Sequence, residues 1–251
     1  MIKKINNIIL LGTSHVAKQS AKEIEESIEK YSPQVVGIEL DIDRFKSLMT
    51  KSQKQRKKGR MNIKMIREFG FSGYMFAMIA GFVQEKVGKS LGIEAGIDMK
   101  TAYIKARENK IPVSLIDINI KKTLKKLSAI SFGKKVGMFS KLFFKGFDKK
   151  YRKQLQFDVK GGVPDAKTIS KMLKIVEKEI PLLFKILIDD RNKFMGRKLI
   201  ELSKKHEGNI LAVVGAGHLE GMEKFIRKEF EKVEIKNENP NSISFSFTQE
   251  V

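Results

Sequence analysis

Two remote stretches of this chain are built alike: an apolar run, a glycine, and a histidine three residues later. The first is Ile8-Ile9-Leu10-Leu11-Gly12-Thr13-Ser14-His15; the second is Ile210-Leu211-Ala212-Val213-Val214-Gly215-Ala216-Gly217-His218. A short, continuously apolar run closed by glycine reads as a strand buried on both faces, the kind found inside parallel sheets. The glycine is expected to supply the tight or left-handed backbone of the strand exit. The histidine should then project from the loop above the strand's carboxyl end, the edge where open α/β sheets bind ligands. Only three histidines occur in 251 residues, so two at equivalent strand ends point to one shared site.

The same reading extends along the chain. Strands are expected at Ile5–Leu11, Gln34–Leu40, Pro112–Asp117, Ile210–Gly215 and Ser242–Phe247, the last alternating polar and apolar as an edge strand does. Helical periodicity marks 16–31, which stops before Ser32-Pro33, and then 97–109, 120–130, 168–180, 187–206 and 220–232. The predicted class is α/β, with a mostly parallel central sheet of about five strands in a single domain over 1–251. Large helical insertions are expected near 61–95 and 121–185, with linker-like breaks at 51–60 and 160–164. The opening strand–helix–strand should cross over with right-handed sense.

Each buried strand delivers a polar residue at its carboxyl end: His15, Glu39, Asp117 and His218 in turn. In a parallel sheet all four face one cleft. Imidazole and carboxylate are the usual nitrogen and oxygen ligands of Zn, Mn or Co ions. Two histidines and Glu39 around a divalent metal ion, with a position open to water, form a hydrolytic centre that acidifies water and polarises a carbonyl. No His-Glu-x-x-His helix is present. Simpler roles are open to the same residues. Either histidine suits a helix cap or a loop hydrogen bond. Glu39, in apolar surroundings, needs a partner, and Arg44 five residues on would make it structural. Asp117 precedes a helix and suits its N-cap.

The totals remove some chemistry and leave other possibilities standing. With no cysteine there is no disulfide, thiolate metal site or thiol nucleophile. The apolar run Ile8–Leu11 is too short for a signal peptide, and Phe69–Val83 is too short and glycine-interrupted to span a membrane, so a soluble, cytoplasmic chain is expected. The net charge of +21 is concentrated: residues 51–60 and 121–153 carry +17 of it. Within 132–147, Phe132, Val136, Phe139, Phe143 and Phe147 form one helical stripe, with Lys134, Lys141 and Lys145 opposite. Such a stripe either packs on the core or lies on an anionic membrane surface; core is the commoner use. The Phe- and Met-rich segment 69–83 poses the same choice, with a homo-oligomer contact as a third. Specific nucleic-acid binding is not expected, because the basic residues are mostly lysine and no stacking platform or recognition motif accompanies them.

The blocks GTSHV, VVGIELDIDRF, GIEAGIDM, LIDINIKKTL, LIDDRNKFM and GAGHLEG, in that order and spacing, resemble the TraB/PrgY family over roughly residues 5–222. PrgY-type proteins are associated with shutting down peptide pheromone signalling, and the family is distantly related to the Tiki proteases and to the GumN and erythromycin-esterase-like group. The resemblance implies a metal-dependent, peptidase-like scaffold in which His15 and His218 match the motif histidines and Glu39 the motif glutamate. Arg44 stands at the family's usual place. Arg191 matches the arginine of the 187–195 block, where it suits a substrate carboxylate or a developing oxyanion. Asp98 stands where the family has Glu or Asp before Met. Arg44, Asp98 and Asp117 are thus the candidate substrate-binding residues, beside His15, Glu39, Arg191 and His218 as catalytic ones. Ile118 and Asn119 depart from the charged pair expected after Asp117. Many prokaryotic members carry carboxyl-terminal transmembrane helices; the sequence up to Val251 contains none, as a soluble member or a piece of a longer one would.

The function expected is a metal-dependent hydrolase acting on peptides. The alternative is a non-catalytic module that binds or sequesters a pheromone-like peptide, at a membrane periphery or free of it.

Overall fold

A computed structural model describes residues 1–13, 17–50, 96–131, 133–134, 137 and 166–238. The class is α/β: a five-stranded sheet in the order β1-β2-β5-β3-β4, parallel except for one edge strand. The strands are β1 (Ile2–Ile5), β2 (Ile8–Thr13), β3 (Val35–Ile38), β4 (Val113–Leu115) and β5 (Ile210–Gly215). The described helices are α1 (Ala17–Tyr31), α2 (Ile42–Thr50), α3 (Ile97–Glu108), α4 (Ile120–Ala129), α5 (Ala166–Glu179), α6 (Pro181–Phe184), α7 (Asp190–Lys205) and α8 (Ala216–Glu238). A π-helical turn, Lys185–Asp189, joins α6 to α7.

The two strands of the repeated motif lie side by side at the centre. β2 and β5 pair in parallel from Ile8↔Ile210 to Thr13↔Gly215, and every residue of both is buried. Alternation sends their side chains to opposite faces. Ile8, Leu10, Ile210, Ala212 and Val214 pack with Met195, Leu199, Leu219, Met222 and Ile226 from α7 and α8. Ile9, Leu11, Leu211 and Val213 pack with Ile24 and Ile28 of α1 and Met99, Ala102 and Ala106 of α3. Helices on both faces explain why these strands are buried throughout, with no wet side.

The expected strand Ile5–Leu11 is two strands. The chain folds back at Asn6-Asn7, where Asn6 takes φ 51°, and β1 pairs antiparallel with β2. Asn tolerates this left-handed backbone better than other non-glycine residues. Asn7 then donates through Nδ2 to the carbonyls of His206 and Gly208, tying the hairpin to the entry of β5. The fifth strand is thus β1. The expected strand Ser242–Phe247 lies outside the described residues, as do 51–95 with the insertion 61–95, and most of the Phe stripe 132–147. Among the described residues, no helix is long and apolar enough to cross a membrane.

Two motif details differ from expectation. Neither Gly12 nor Gly215 has positive φ. Gly12 lies within β2, where a Cβ would come 3.0 Å from Leu219 Cδ2 of α8, so close helix approach is what requires it. After Gly215 no loop follows: α8 starts at Ala216, placing His218 in a helical first turn.

Candidate functional site

Two strand ends and three helices deliver a cluster of charge to one place, beside the end of β5. Glu39 follows β3, which is hydrogen-bonded to β5, and its Oε2 accepts from the Gly215 N–H at 2.7 Å, immediately before α8. The positive end of that helix favours a carboxylate there. Glu39 Oε1 accepts from Arg191 Nη2 at 2.5 Å and lies 3.3 Å from His218 Nε2. Arg191 reaches from α7 to bridge two acids, donating through Nε and Nη2 to Asp117 at 3.1 and 2.6 Å. Its Nη1 has a longer bond, 3.4 Å, to the Leu187 carbonyl in the π-helical turn.

Asp117 also accepts from Arg44, and Ile118 N–H donates to its Oδ1 at 2.7 Å. Arg44 in turn donates to Asp41 Oδ2 at 2.6 Å. Asp41 caps α2, its Oδ1 accepting from the backbone of Asp43 and Arg44. On the far side, His218 is 2.7 Å through Nδ1 from Asn192 Oδ1, and both residues are buried. α8 approaches so closely here that a Cβ on Gly221 would run into the Asn192 amide.

Burial opposes ionisation of Glu39, but His218, Arg191 and the Gly215 N–H outweigh it and hold the carboxyl well below its ordinary range. Arg191 behaves in the opposite sense. Burial disfavours its charge, yet Glu39 and Asp117 raise its pKa further above the usual guanidinium value. Both groups stay charged throughout the physiological range. Among the described residues, three carboxylates (Glu39, Asp41, Asp117) then meet two guanidiniums (Arg44, Arg191), with His218 beside Glu39. With Nδ1 donating to Asn192 Oδ1, Nε2 is the ring nitrogen turned to Glu39 Oε1.

The structure brings together Glu39, Asp117, Arg191, Arg44 and His218 of the sequence-predicted residues. His15 lies outside the described residues; β2, which precedes it, ends at Thr13 beside Gly215. Asp98 is buried in the first turn of α3. Two simpler expectations are corrected. Arg44 is not the partner of Glu39: it turns back onto Asp41 and across to Asp117, and Arg191, 152 positions from Glu39, takes that place. Asp117 is not the N-cap of α4 either; Asn119 is, its side chain accepting from the Lys121 N–H.

Sequence reasoning misses Asp41 and Asn192. Asp41 carries an N-cap signature, an Asp directly before an amphipathic helix. Asn192 shares a helical face with the buried Met195 and Leu199, and a polar residue on that face needs an internal partner.

Fold and cluster together define an α/β protein whose charged residues converge on the carboxyl edge of a parallel sheet. The TraB/PrgY/gumN family profile matches residues 2–232, and the chain belongs to that family. An uncharacterized protein of Methanocaldococcus jannaschii is 34% identical over 224 residues, covering 88% of this chain and 54% of that protein. The human TraB domain-containing protein is 22% identical over 262 residues, covering 95% of this chain and 68% of its own. This chain thus spans about half the length of the archaeal relative.

Proposed function

We propose that this chain is a metal-dependent hydrolase acting on short peptides, with His15, Glu39 and His218 as ligands of a divalent Zn, Mn or Co ion. The observation that carries the reading is the Glu39 Oε1–His218 Nε2 pair, 3.3 Å apart at the carboxyl edge of the sheet. Among the described residues no three His, Asp or Glu groups surround a common point, and the third donor of the proposal is His15. The spacing of the two described donors supports the reading. Ligands on a tetrahedral centre with bonds of about 2.0–2.1 Å stand about 3.3–3.4 Å apart. Glu39 Oε1 keeps a second lone pair while Arg191 holds the first.

When bound, such an ion supplies an acidified water and polarises a carbonyl. The chain's own residues prepare the place for it. Asn192 takes the Nδ1–H and so turns Nε2 toward the carboxylate, as outer hydrogen bonds orient ligating histidines elsewhere. Arg191 and the Gly215 N–H keep Glu39 ionised. Nη1 of Arg191, less engaged than its other nitrogens, is the edge proposed to meet a substrate carboxylate or oxyanion. The basic segments 51–60 and 121–153 suit docking on an anionic membrane surface in the same scheme.

Equilibrium dialysis of the purified chain against each ion, followed by mass-spectrometric readout of a short-peptide library, tests the reading. One ion per chain is expected, lost in His218→Ala and in His15→Ala together with peptide cleavage. An ion content unchanged by His218→Ala refutes the site. Peptide binding that survives chelation, with no cleavage, selects a non-catalytic sequestering module instead.

A further inference from the structure

A cavity of about 560 Å³ opens where the end of α4 meets α6 and the π-helical turn. Its walls divide sharply by chemistry. Ile130, Leu182 and Ile186 make the apolar part, and Ile130 and Ile186 belong to a small hydrophobic cluster separate from the two main cores. Lys126, Lys134 and Lys185 stand round the same opening. Lys126 is tied to Asp190 at 2.5 Å, whereas Lys134 and Lys185 are exposed and have no counter-charge among the described residues. Three ammonium groups against one carboxylate leave the opening net positive, which favours an anion there.

We propose that this cavity binds an amphiphilic anion: a carboxylate or phosphate headgroup on a single alkyl chain. The headgroup would pair with Lys134 and Lys185, and the chain would lie against Ile130, Leu182 and Ile186. Neither half of the wall explains itself with a simpler ligand. An inorganic anion makes no use of the apolar part, and a neutral apolar ligand makes no use of the lysines' charge. The volume lies within the ~300–1,000 Å³ of small-molecule sites.

Ala129 lines the cavity and is exposed, so Ala129→Trp installs the only tryptophan in the chain on its wall as a reporter. The probes are laurate and dodecyl phosphate, titrated below their micelle-forming concentrations and checked by calorimetry on the unmodified chain. Saturable one-to-one binding of either probe is expected, with the preferred headgroup identifying the natural class. Lys134→Glu with Lys185→Glu should weaken it at least tenfold; both positions are exposed, so the fold should survive, and circular dichroism checks that it does. Equal binding of dodecyltrimethylammonium overturns the proposal, as does inorganic phosphate binding as tightly as dodecyl phosphate. Indifference to the charge reversal overturns it too. Adsorption to phosphatidylglycerol vesicles without binding of monomeric probe also overturns it and assigns the lysines to a membrane face.

Discussion

Arg191→Met removes the guanidinium that joins Glu39 to Asp117 while keeping most of the aliphatic stem that fills its place. The side chains of Arg191, Glu39 and Asp117 are 17%, 11% and 0% exposed, so water cannot replace the lost donor efficiently. Breaking a buried pair by deleting one partner is worth about 3–5 kcal/mol, mainly from the charge left behind. Here Asp117 retains Arg44, and Glu39 retains His218 and the Gly215 N–H, which places the expected loss near the lower end, at about 3 kcal/mol. For a chain of this size that lowers the melting temperature by about 6–12 °C, readable by circular dichroism at 222 nm. The pH dependence has a definite sign. In the native protein Glu39 is held below its unfolded value of 4.5, so its contribution is complete above that value and disappears as pH falls through the folded one. Without Arg191 the folded pKa rises towards the unfolded value, so the deficit against the parent should stay level at neutral pH and shrink only as pH falls through that raised value. Adding Glu39→Gln to Arg191→Met should cost nothing further or restore stability, because the orphaned charge goes with it. A melting shift below 2 °C, or losses that simply add, would refute the view that these carboxylates depend on a shared buried cation.

Other substitutions probe the supports of the cluster separately. Asn192→Leu leaves a buried N–H of His218 without an acceptor and should destabilise by about 1–3 kcal/mol. Nitrogen-15 spectra of the ring should show the tautomer redistributed, and an unchanged pattern removes Asn192 from its orienting role. Gly221→Ala forces a methyl onto the Asn192 amide and should lower stability by about 1–3 kcal/mol; combining it with Asn192→Ser should recover part of the loss in urea unfolding. At the hairpin, Asn6→Val must hold a β-branched residue at positive φ and should destabilise by about 1–2 kcal/mol, while Asn6→Gly should be at least as stable as the parent.

β5 is legible from sequence to its last residue, because burial on both faces leaves an uninterrupted apolar run and Gly215 ends it. β1 is not legible, because Ile-Lys-Lys-Ile carries little strand signal of its own; it becomes a strand only through its pairing with β2 across a two-residue turn. The strand-end residues Glu39, Asp117 and His218 can be read in the same way, since position along a parallel strand determines which edge a residue reaches. Their partners cannot. Arg44 is five positions from Glu39 and Arg191 is 152 away, yet proximity along the chain favours the wrong one. The reason is directional. Glu39 leaves β3 towards β5 and the start of α8, while Arg44 sits in the first turn of α2, held to the Asp41 cap behind it and to Asp117 beside it. A guanidinium bound to two acids has little left for a third. Counting charge then adds what pairwise reading does not: with Asp41 included, the acids of this cluster exceed the arginines by one among the described residues, and His218 stands beside Glu39 at the end of the chain of ion pairs.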